Sequence, residues 1–573
     1  MEIKTFNQLK KNLKKDFSTL KSLKVAVLGD TATQFLNIAL QGSAIDLGYQ
    51  FQVFEGDFAQ INRQILDPTS EYYEFQPDVT IVFESTHKLL ASYYKSGSGV
   101  SFAESKLQNV ETLYANVTQL TNSKFIYCNF PEIDNQVFGN FSHKVESSFV
   151  YQLQKLNFLL SDFAVKKDNF YVQDLVGIQA KYGRDVLFSP SIYINTEMVL
   201  SVDALPLVSH SLATQIFSMY GSFKKCLILD LDNTTWGGVI GDDGVEKIQI
   251  GSLGIGKAFT EFQYWVKALQ KRGVIVAVCS KNDEDKAKEP FEKHPDMVLK
   301  LEDIAVFVAN WENKADNIRK IQSILNIGFD SMVFLDDNPF ERNLVRENLP
   351  TVCVPELPED PANYLEYLYS LNLFETASYS ENDLERTKQY QVEAERNFAQ
   401  ESFTNLGDFL KSLSMVSDVQ SFNSFNKPRV SQLSQRSNQF NLRTVRYTEQ
   451  EVEERSQTDR FHTLSFTLDD KFGSNGLIAV VVLEEQNSDT LFIENWLMSC
   501  RVLKRGMEDF TLNTIVEIAR NNGFKKVIGE YIESGKNQMV ENHYANLGFT
   551  ESGNFWELAV DSYTPKEVHI NKK

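Results

Sequence analysis

The sequence is poor in cysteine. Five occur in 573 residues, at positions 128, 226, 279, 353 and 500, scattered and without a CxxC pair. An odd, dispersed set of this kind excludes a disulfide framework and fits a reducing compartment. Long apolar runs are also missing. None reaches the ~18 residues that a membrane-spanning helix requires. The first 24 residues are basic and amphipathic but contain no apolar h-region, so no secretory leader is expected and a cytoplasmic chain is. Positive charge is in deficit: 57 Lys and Arg stand against 77 Asp and Glu, a net charge of −20. A field of that sign repels nucleic acid. One stretch departs from it. Residues 419–448 contain no acid but hold Lys427, Arg429, Arg436, Arg443 and Arg446. It reads either as chance or as a local anion-binding face. No internal repeat and no low-complexity linker is present.

What the chain does have is 42% hydrophobic content, enough for several cores. At roughly 100–200 residues per domain, three domains are expected. In the first segment the short apolar runs of LKVAVLGD, FQVFEGD, PDVTIVFES and KFIYCNFP alternate with helical stretches such as TATQFLNIALQGSAIDLG. Buried strands alternating with helices predict a parallel α/β sheet over residues 1–215. The second segment, 216–375, repeats the logic in KCLILDLD, GVIVAVCS and SMVFLDD. The third, 376–573, runs through strand patterns HTLSFTL, GLIAVVVLE and TLFIENWLMSC to a helix, GMEDFTLNTIVEIARNNG. It ends with a strand in KKVIGEYI, a helix in NQMVENHYANLG and a strand in NFWELAV. That order predicts an α+β domain.

The middle segment carries the chemistry. In a parallel sheet the carboxyl ends of the strands share one edge, where ligands bind. Three strands therefore deliver Asp230, Asp232, Ser280, Asp336 and Asp337 to one place. In Asp230-Leu-Asp232-Asn233-Thr234 two acids stand two residues apart after a strand. The first can attack phosphorus as a nucleophile. The second can protonate the leaving oxygen and then activate water. Ser280 ends GVIVAVCS, and Lys314 stands in WENKADNI. Asp230, the Asp232 carbonyl, Asp336 and, directly or through water, Asp337 suit Mg²⁺, which takes oxygen ligands and keeps several waters. The intervals of 50 residues from Asp230 to Ser280 and 34 from Ser280 to Lys314 leave no room for a large inserted cap. A flanking segment is therefore expected to cover the site and exclude water.

In order and type these motifs resemble those of the haloacid-dehalogenase (HAD) superfamily, which implies that Ser280 binds a phosphoryl oxygen, that Lys314 offsets the charge of nucleophile and phosphate, and that Asp336 and Asp337 hold Mg²⁺. DLDNTTWGGVIGDDG, VCSKND and FLDDNPFER further resemble the FkbH-like branch, HAD subfamily IIIC. KVAVLGDTATQFL and QPDVTIVF resemble that family's N-terminal region, and RVSQLSQRSNQFNLRTVRY and MSCRVLKRGMED its C-terminal region. The resemblance implies three parts: an SGNH-like, flavodoxin-like α/β domain, a HAD Rossmannoid parallel sheet and a GNAT-like acyltransferase domain. It implies a Mg²⁺-dependent phosphatase or phosphotransferase with an aspartyl-phosphate intermediate on Asp230. It also implies removal of phosphate from a phosphorylated small molecule, 1,3-bisphosphoglycerate in polyketide-pathway relatives, and loading of a glyceryl-type acyl group onto an acyl carrier protein thiol. A stand-alone phosphatase with non-catalytic flanking domains is the alternative, and a scaffold with a vestigial site a third reading.

Each flanking region departs from its pattern. Where SGNH hydrolases carry Gly-Asp-Ser, this chain has Gly29-Asp30-Thr31. Leu207 stands where an Asp would precede His210, and His87 and His143 have no evident partner, so no hydrolase triad is expected. Where GNAT proteins carry a glycine-rich pyrophosphate loop, this chain has Arg501-Val-Leu-Lys504-Arg505-Gly506. Arg501, Lys504 and Arg505 are therefore expected to grip a pantetheine phosphate or an acidic carrier. Tyr544 stands where such enzymes keep a general acid, and packing in the core beside Leu547 and Phe549 is an equal reading. Cys500, beside Arg501, is a candidate acyl carrier, and Cys279 a lesser one.

Overall fold

The computed structural model describes residues 3–57, 59–97, 99–220, 223–379, 386–401, 403, 405–499 and 502–573. The chain divides into two compact units, residues 2–217 and 218–573.

In the first unit the apolar runs become five strands: β1 (Lys21–Gly29), β2 (Tyr49–Glu55), β3 (Val79–Phe83), β4 (Lys124–Cys128) and β5 (Phe170–Gln173). All pair in parallel, in the order β2-β1-β3-β4-β5. β3 and β4 are buried along their whole length, which is why VTIVF and KFIYC show no polar alternation. This is the flavodoxin-like order, whose switch point lies between β1 and β3. There, Asp30 follows β1 and accepts the Ser85 amide at 2.9 Å, while Glu84 binds Lys106 at 2.6 Å and accepts the Tyr127 hydroxyl. Burial, then the charge of Glu84, push the Asp30 carboxyl up to about 7. Thr31 is fully buried and its hydroxyl meets no hydrogen-bond partner, so no histidine activates it. His87 packs between the rings of Phe188 and Tyr193.

The second unit holds two sheets. The first is built from β6 (Cys226–Leu229), β7 (Ile275–Ser280), β8 (Val306–Ala309) and β9 (Met332–Leu335), parallel in the order β8-β7-β6-β9. The second comprises β10 (Met415–Ser417), β11 (Val419–Gln420), β12 (Phe461–Asp470), β13 (Gly473–Asn487), β14 (Thr490–Met498), β15 (Lys526–Gly529), β16 (Thr550–Ser552), β17 (Phe555–Ala559) and β18 (Ile570–Lys572). Its path runs β16-β17-β15-β14-β13-β12-β10-β18, with β11 beside β12. The central pair β14–β15 is parallel, joined by the helix Met507–Asn521, whose Met507, Phe510 and Ile515 are buried. β14 and β15 pair only from Thr490 to Phe492. Beyond that point the chain's own segment 440–443 lies between β14 and the continuation of β15. Leu442 donates to the Trp496 carbonyl at 3.1 Å and accepts from Ile532 at 2.9 Å, and Phe440 accepts from Met498 at 3.0 Å.

One helix, Arg386–Glu401, joins the two sheets. Towards the first, Gln391 donates to the Ile304 carbonyl at 2.9 Å, and Tyr390 and Ala394 enter that core. Towards the second, Arg396 donates to Glu393 at 3.0 Å and to Asp470 at 3.0 Å, and Arg505 donates to Glu393 at 2.5 Å. Arg396, Glu393 and Arg505 are all buried. The two sheets of this unit are thus locked by an ion network as well as by apolar contact.

Candidate active site

The carboxyl ends of β6, β7 and β9, together with the helix after β8, converge on one cleft. β6 ends at Leu229, so Asp230 leaves the strand, held by its amide to the Leu335 carbonyl at 2.9 Å. The Thr235 hydroxyl donates to the Asp230 carbonyl at 2.6 Å. Lys314 opens the helix Lys314–Leu325 behind an Asn313 cap, which fixes its side chain at the strand edge. Its ammonium lies 2.9 Å from Asp230 and 2.5 Å from Asp336. All three groups are buried. Oxygens of Asp230, Asp336 and Asp337 lie within 4.8 Å of one another.

Three carboxylates against one ammonium leave the pocket short of positive charge. Burial, then Asp230, push the Asp336 carboxyl up to about 7, against the pull of Lys314. The same two causes, in the same order, raise Asp337. Burial works against the Lys314 ammonium, but Asp230 and Asp336 outweigh it and hold its proton more tightly. A compact all-oxygen set with excess negative charge fits a hard divalent cation. Arg342, itself buried, donates to the carbonyls of Asp336 at 2.9 Å and Asp337 at 2.6 Å and fixes the turn that presents both acids.

Asp232 stands apart from that trio. One oxygen accepts from Trp236 Nε1 at 3.0 Å and from the Ile240 amide at 3.0 Å. The other accepts from Asn282 Nδ2 at 2.9 Å, and the same nitrogen lies 3.2 Å from Ser280 Oγ. Asn282 therefore ties Asp232 to Ser280, and neither composition nor spacing marks it. Its one signal is its place two residues beyond the β7 terminus. Asn233, between the two acids, adopts φ +54°, and its side chain accepts from the Gly238 amide at 2.9 Å. Asn tolerates this left-handed conformation better than most residues, and it turns both acids toward one pocket.

The expectation that a flanking segment covers the cleft fails for the second sheet. Lys225, which precedes β6, donates to the Arg436 carbonyl at 2.8 Å, and Asp330, which precedes β9, meets Lys536 at 2.8 Å. The second sheet thus abuts the amino edge of β6–β9, whereas Asp230 lies at the carboxyl edge. At ~3.3 Å per residue the five steps from Lys225 to Asp230 span about 16 Å. Tyr364 donates to the Asn233 carbonyl at 3.1 Å and so braces the turn that follows Asp232 from the helix Tyr364–Leu371. Trp311, on the loop after β8, and Phe340, in the first turn of the helix Pro339–Asn348, stand exposed.

Of the residues considered for acyl transfer, those described do not gather at one point. Cys500 and Arg501 lie outside the described residues. Arg505 is held by Glu393. Lys504 adopts φ +64°, and its amide donates to Glu508 at 3.2 Å. Tyr544 is buried among Phe549, Trp556 and Gly529, where a Cβ on Gly529 would come within 2.3 Å of its ring. Its hydroxyl meets no partner, and burial pushes its proton loss well beyond the usual range. Cys279 is buried, and burial pushes its thiol up despite Lys314. The acid-free stretch 419–448 divides. Lys427 pairs with Glu453, Arg443 with Glu530, and Arg446 donates to main-chain carbonyls, while Arg429 and Arg436 turn to the junction of the two sheets.

Residues 24–216 match the family model "FkbH, N-terminal domain". The N-terminal part of the protein BF1531 from Bacteroides fragilis, a structure containing a phosphatase domain complexed with Mg, is 58% identical. The match covers 65% of this chain and 100% of that one, with a TM-score of 0.63. The chain belongs to the FkbH-like family. This FkbH-like protein carries a HAD-type phosphatase domain. Two acetyltransferases also align with about a quarter of it. The ribosomal-protein-S18-alanine N-acetyltransferase of Escherichia coli is 15% identical over 25% of this chain and 94% of that one, at a TM-score of 0.21. The spermidine N-acetyltransferase of Vibrio cholerae, in complex with CoA and spermine, is 13% identical over 25% and 96%, also at 0.21. No curated protein matches the sequence. Among the described residues, no helix is long and apolar enough to cross a membrane.

Proposed function

We propose that this FkbH-like protein removes the ester phosphate of a phosphorylated small molecule through an aspartyl phosphate on Asp230, and that a thiol then attacks the carbonyl carbon of the acyl phosphate that remains, inorganic phosphate leaving, so that the acyl group passes as a thioester to the thiol of an acyl carrier protein. One observation carries the phosphatase half: a single buried ammonium, Lys314, bridges Asp230 and Asp336 beside Asp337. The Asp230 carboxylate attacks phosphorus, the bond from phosphorus to the leaving oxygen breaks, and Asp232 supplies that oxygen's proton. Water then attacks phosphorus, Asp232 takes its proton, and inorganic phosphate leaves with the Asp230 carboxylate restored. Ser280 Oγ and Lys314 Nζ hold the phosphoryl oxygens. Mg²⁺ fits the Asp230, Asp336 and Asp337 oxygens, with the Asp232 carbonyl as a further donor. When bound it offsets the charge that phosphate brings to three carboxylates. The absence of a large cap suits a substrate carried on, or delivered to, another protein.

The acyl-transfer half rests on the family and on cysteine chemistry. Burial pushes the thiols of Cys128, Cys226, Cys279 and Cys353 up, which makes each a poor nucleophile. Cys500 is then the acyl carrier of this reading. The test is to incubate the full chain with Mg²⁺, 1,3-bisphosphoglycerate and a carrier protein, and weigh the carrier. A glyceryl adduct that disappears in Cys500→Ser, while phosphate release persists, supports coupling. Phosphate release without an adduct across several carriers favours the stand-alone phosphatase.

A further inference from the structure

Lys281 and Glu341 stand outside the chemistry described so far, although each adjoins residues that carry it. Lys281 lies between Ser280, the last residue of β7, and Asn282, which holds Asp232 at 2.9 Å. Glu341 lies in the first turn of the helix Pro339–Asn348, shortly after Asp336 and Asp337. In the sheet β6, which delivers Asp230, runs between β7 and β9. At ~4.8 Å between neighbouring strands, the ends of β7 and β9 lie about 10 Å apart. Two side chains close that gap: Lys281 Nζ donates to Glu341 Oε1 at 2.6 Å. The pair thus ties together the strand ends on either side of Asp230. Cys279, near the end of β7, is within electrostatic reach of Lys314, Asp230, Asp336 and Glu341 alike, which sets Glu341 beside that trio.

The two members differ in exposure. The Glu341 side chain is 7% exposed and that of Lys281 34%. Among the described residues Glu341 Oε2 is buried without a hydrogen-bond partner. Burial of that kind is costly, and its effect is to hold the ammonium in one place at the rim of the cleft. An ammonium has three N–H donors. Among the described residues that of Lys281 donates to Glu341 alone, so two donors remain for an acceptor arriving from solvent. Lys314, by contrast, is buried and engaged by both Asp230 and Asp336. We propose that Lys281 is a specificity-determining residue of the Asp230 centre. It donates to a second anionic group of the substrate, a carboxylate or acyl phosphate at the far end from the ester phosphate, and Glu341 is the positioning residue that holds it there. Lys281 follows Ser280 directly, so an anionic group a few bonds from the phosphorus falls within reach of its long side chain. The four carboxylates of the cleft, Asp230, Asp232, Asp336 and Asp337, repel a second anion unless a donor at the rim meets it. The inference rests on the reading of the Asp230 centre as a phosphate site.

The experiment is calorimetric titration of the full chain, with Mg²⁺, against two phosphonates in which a methylene replaces the ester oxygen, so that no phosphate can be released. One, 2-hydroxy-4-phosphonobutanoate, carries a carboxylate. The other, 3,4-dihydroxybutylphosphonate, carries a hydroxymethyl group in its place. The wild type should bind the carboxylate form at least tenfold more tightly. Lys281→Met should bring the two within threefold, and Lys281→Arg should restore most of the difference. Glu341→Gln should lower the preference while the phosphonate end stays bound, and a preference unchanged there would overturn the positioning role. Because Lys281→Met strands a buried carboxylate, Lys281→Met/Glu341→Gln serves if the single variant does not fold, with the same loss of preference expected. Equal binding of both phosphonates by the wild type, or a tenfold preference that survives in the Lys281 variants, would overturn the assignment of Lys281 and leave the phosphate site standing. No binding of either phosphonate would overturn the phosphate site and this inference with it, so the two failures are distinguishable.

Discussion

Asn282→Ala should slow the phosphatase without greatly weakening substrate binding. Asp232 has two oxygens, and Trp236 and Ile240 both hold the same one. Among the described residues Asn282 alone, at 2.9 Å, fixes the other, so that oxygen can turn once the amide is gone. A hydrogen bond to a charged group contributes about 1.5–3 kcal/mol. If that orientation matters only when Asp232 hands over its proton, the loss appears in the barrier. At 1.36 kcal/mol per tenfold this is a fall in kcat of roughly 10- to 150-fold. The contact from Asn282 to Ser280, at 3.2 Å, is longer, so KM should change far less. The assay is steady-state hydrolysis of a phosphate monoester at saturating Mg²⁺, with single-turnover quench to isolate the chemical step. A kcat within twofold of wild type, or a loss carried wholly by KM, would refute the positioning role.

Three other perturbations test the scaffold. Arg396→Ala removes one of the two cations, Arg396 and Arg505, that meet the buried carboxylates of Glu393 and Asp470, so the loss should approach but not exceed the about 3–5 kcal/mol of a buried charge left wholly without a partner. Urea unfolding of the 218–573 unit should show that loss, and one below about 1 kcal/mol would mean the network is solvated. Tyr544→Phe removes a buried hydroxyl that bonds to nothing, so stability should hold or rise and acyl transfer should persist; a tenfold fall in transfer with the fold intact would restore a general-acid role. In the first unit, Asp30 carries a carboxyl raised from 3.8 to about 7. The folded chain keeps a proton there that the unfolded chain releases, so this group's contribution falls as pH rises from about 4 and is fully lost above about 7. Asp30→Asn should therefore gain stability relative to wild type at pH 8 compared with pH 5, as read by denaturant midpoints, and an equal difference at both values would exclude the effect.

Much of this arrangement is legible because buried parallel strands must be apolar along their whole length. CLIL, IVAVCS and MVFL stand out for that reason and end on the residues that matter. β8 does not, since four residues of VFVA carry no pattern that separates a strand from a buried helical turn. The stretch NQMVENHYANLG reads as one helix but forms a 3-10 turn, Gln538–Val540, and a separate short helix, His543–Leu547. The buried Asn537 side chain donates to the Asn441 and Ile532 carbonyls there, a tertiary demand that local propensity cannot show. Asn282 and Arg342 were invisible for the same reason, because their roles exist only once distant strands and turns meet. The basic run 419–448 misleads in the opposite sense. Its charges are contiguous in sequence, yet folding sends Lys427 and Arg443 to different acids and leaves Arg429 and Arg436 at the junction of the two sheets.

Asp230 as the phosphorylated group is the claim on which the rest depends. Acid quench during turnover, followed by borohydride reduction, converts an aspartyl phosphate to homoserine, which peptide mass spectrometry locates. Homoserine is expected at position 230 in the wild type, and no turnover is expected in Asp230→Asn. Homoserine at another aspartate, or turnover that survives Asp230→Asn, would contradict the account.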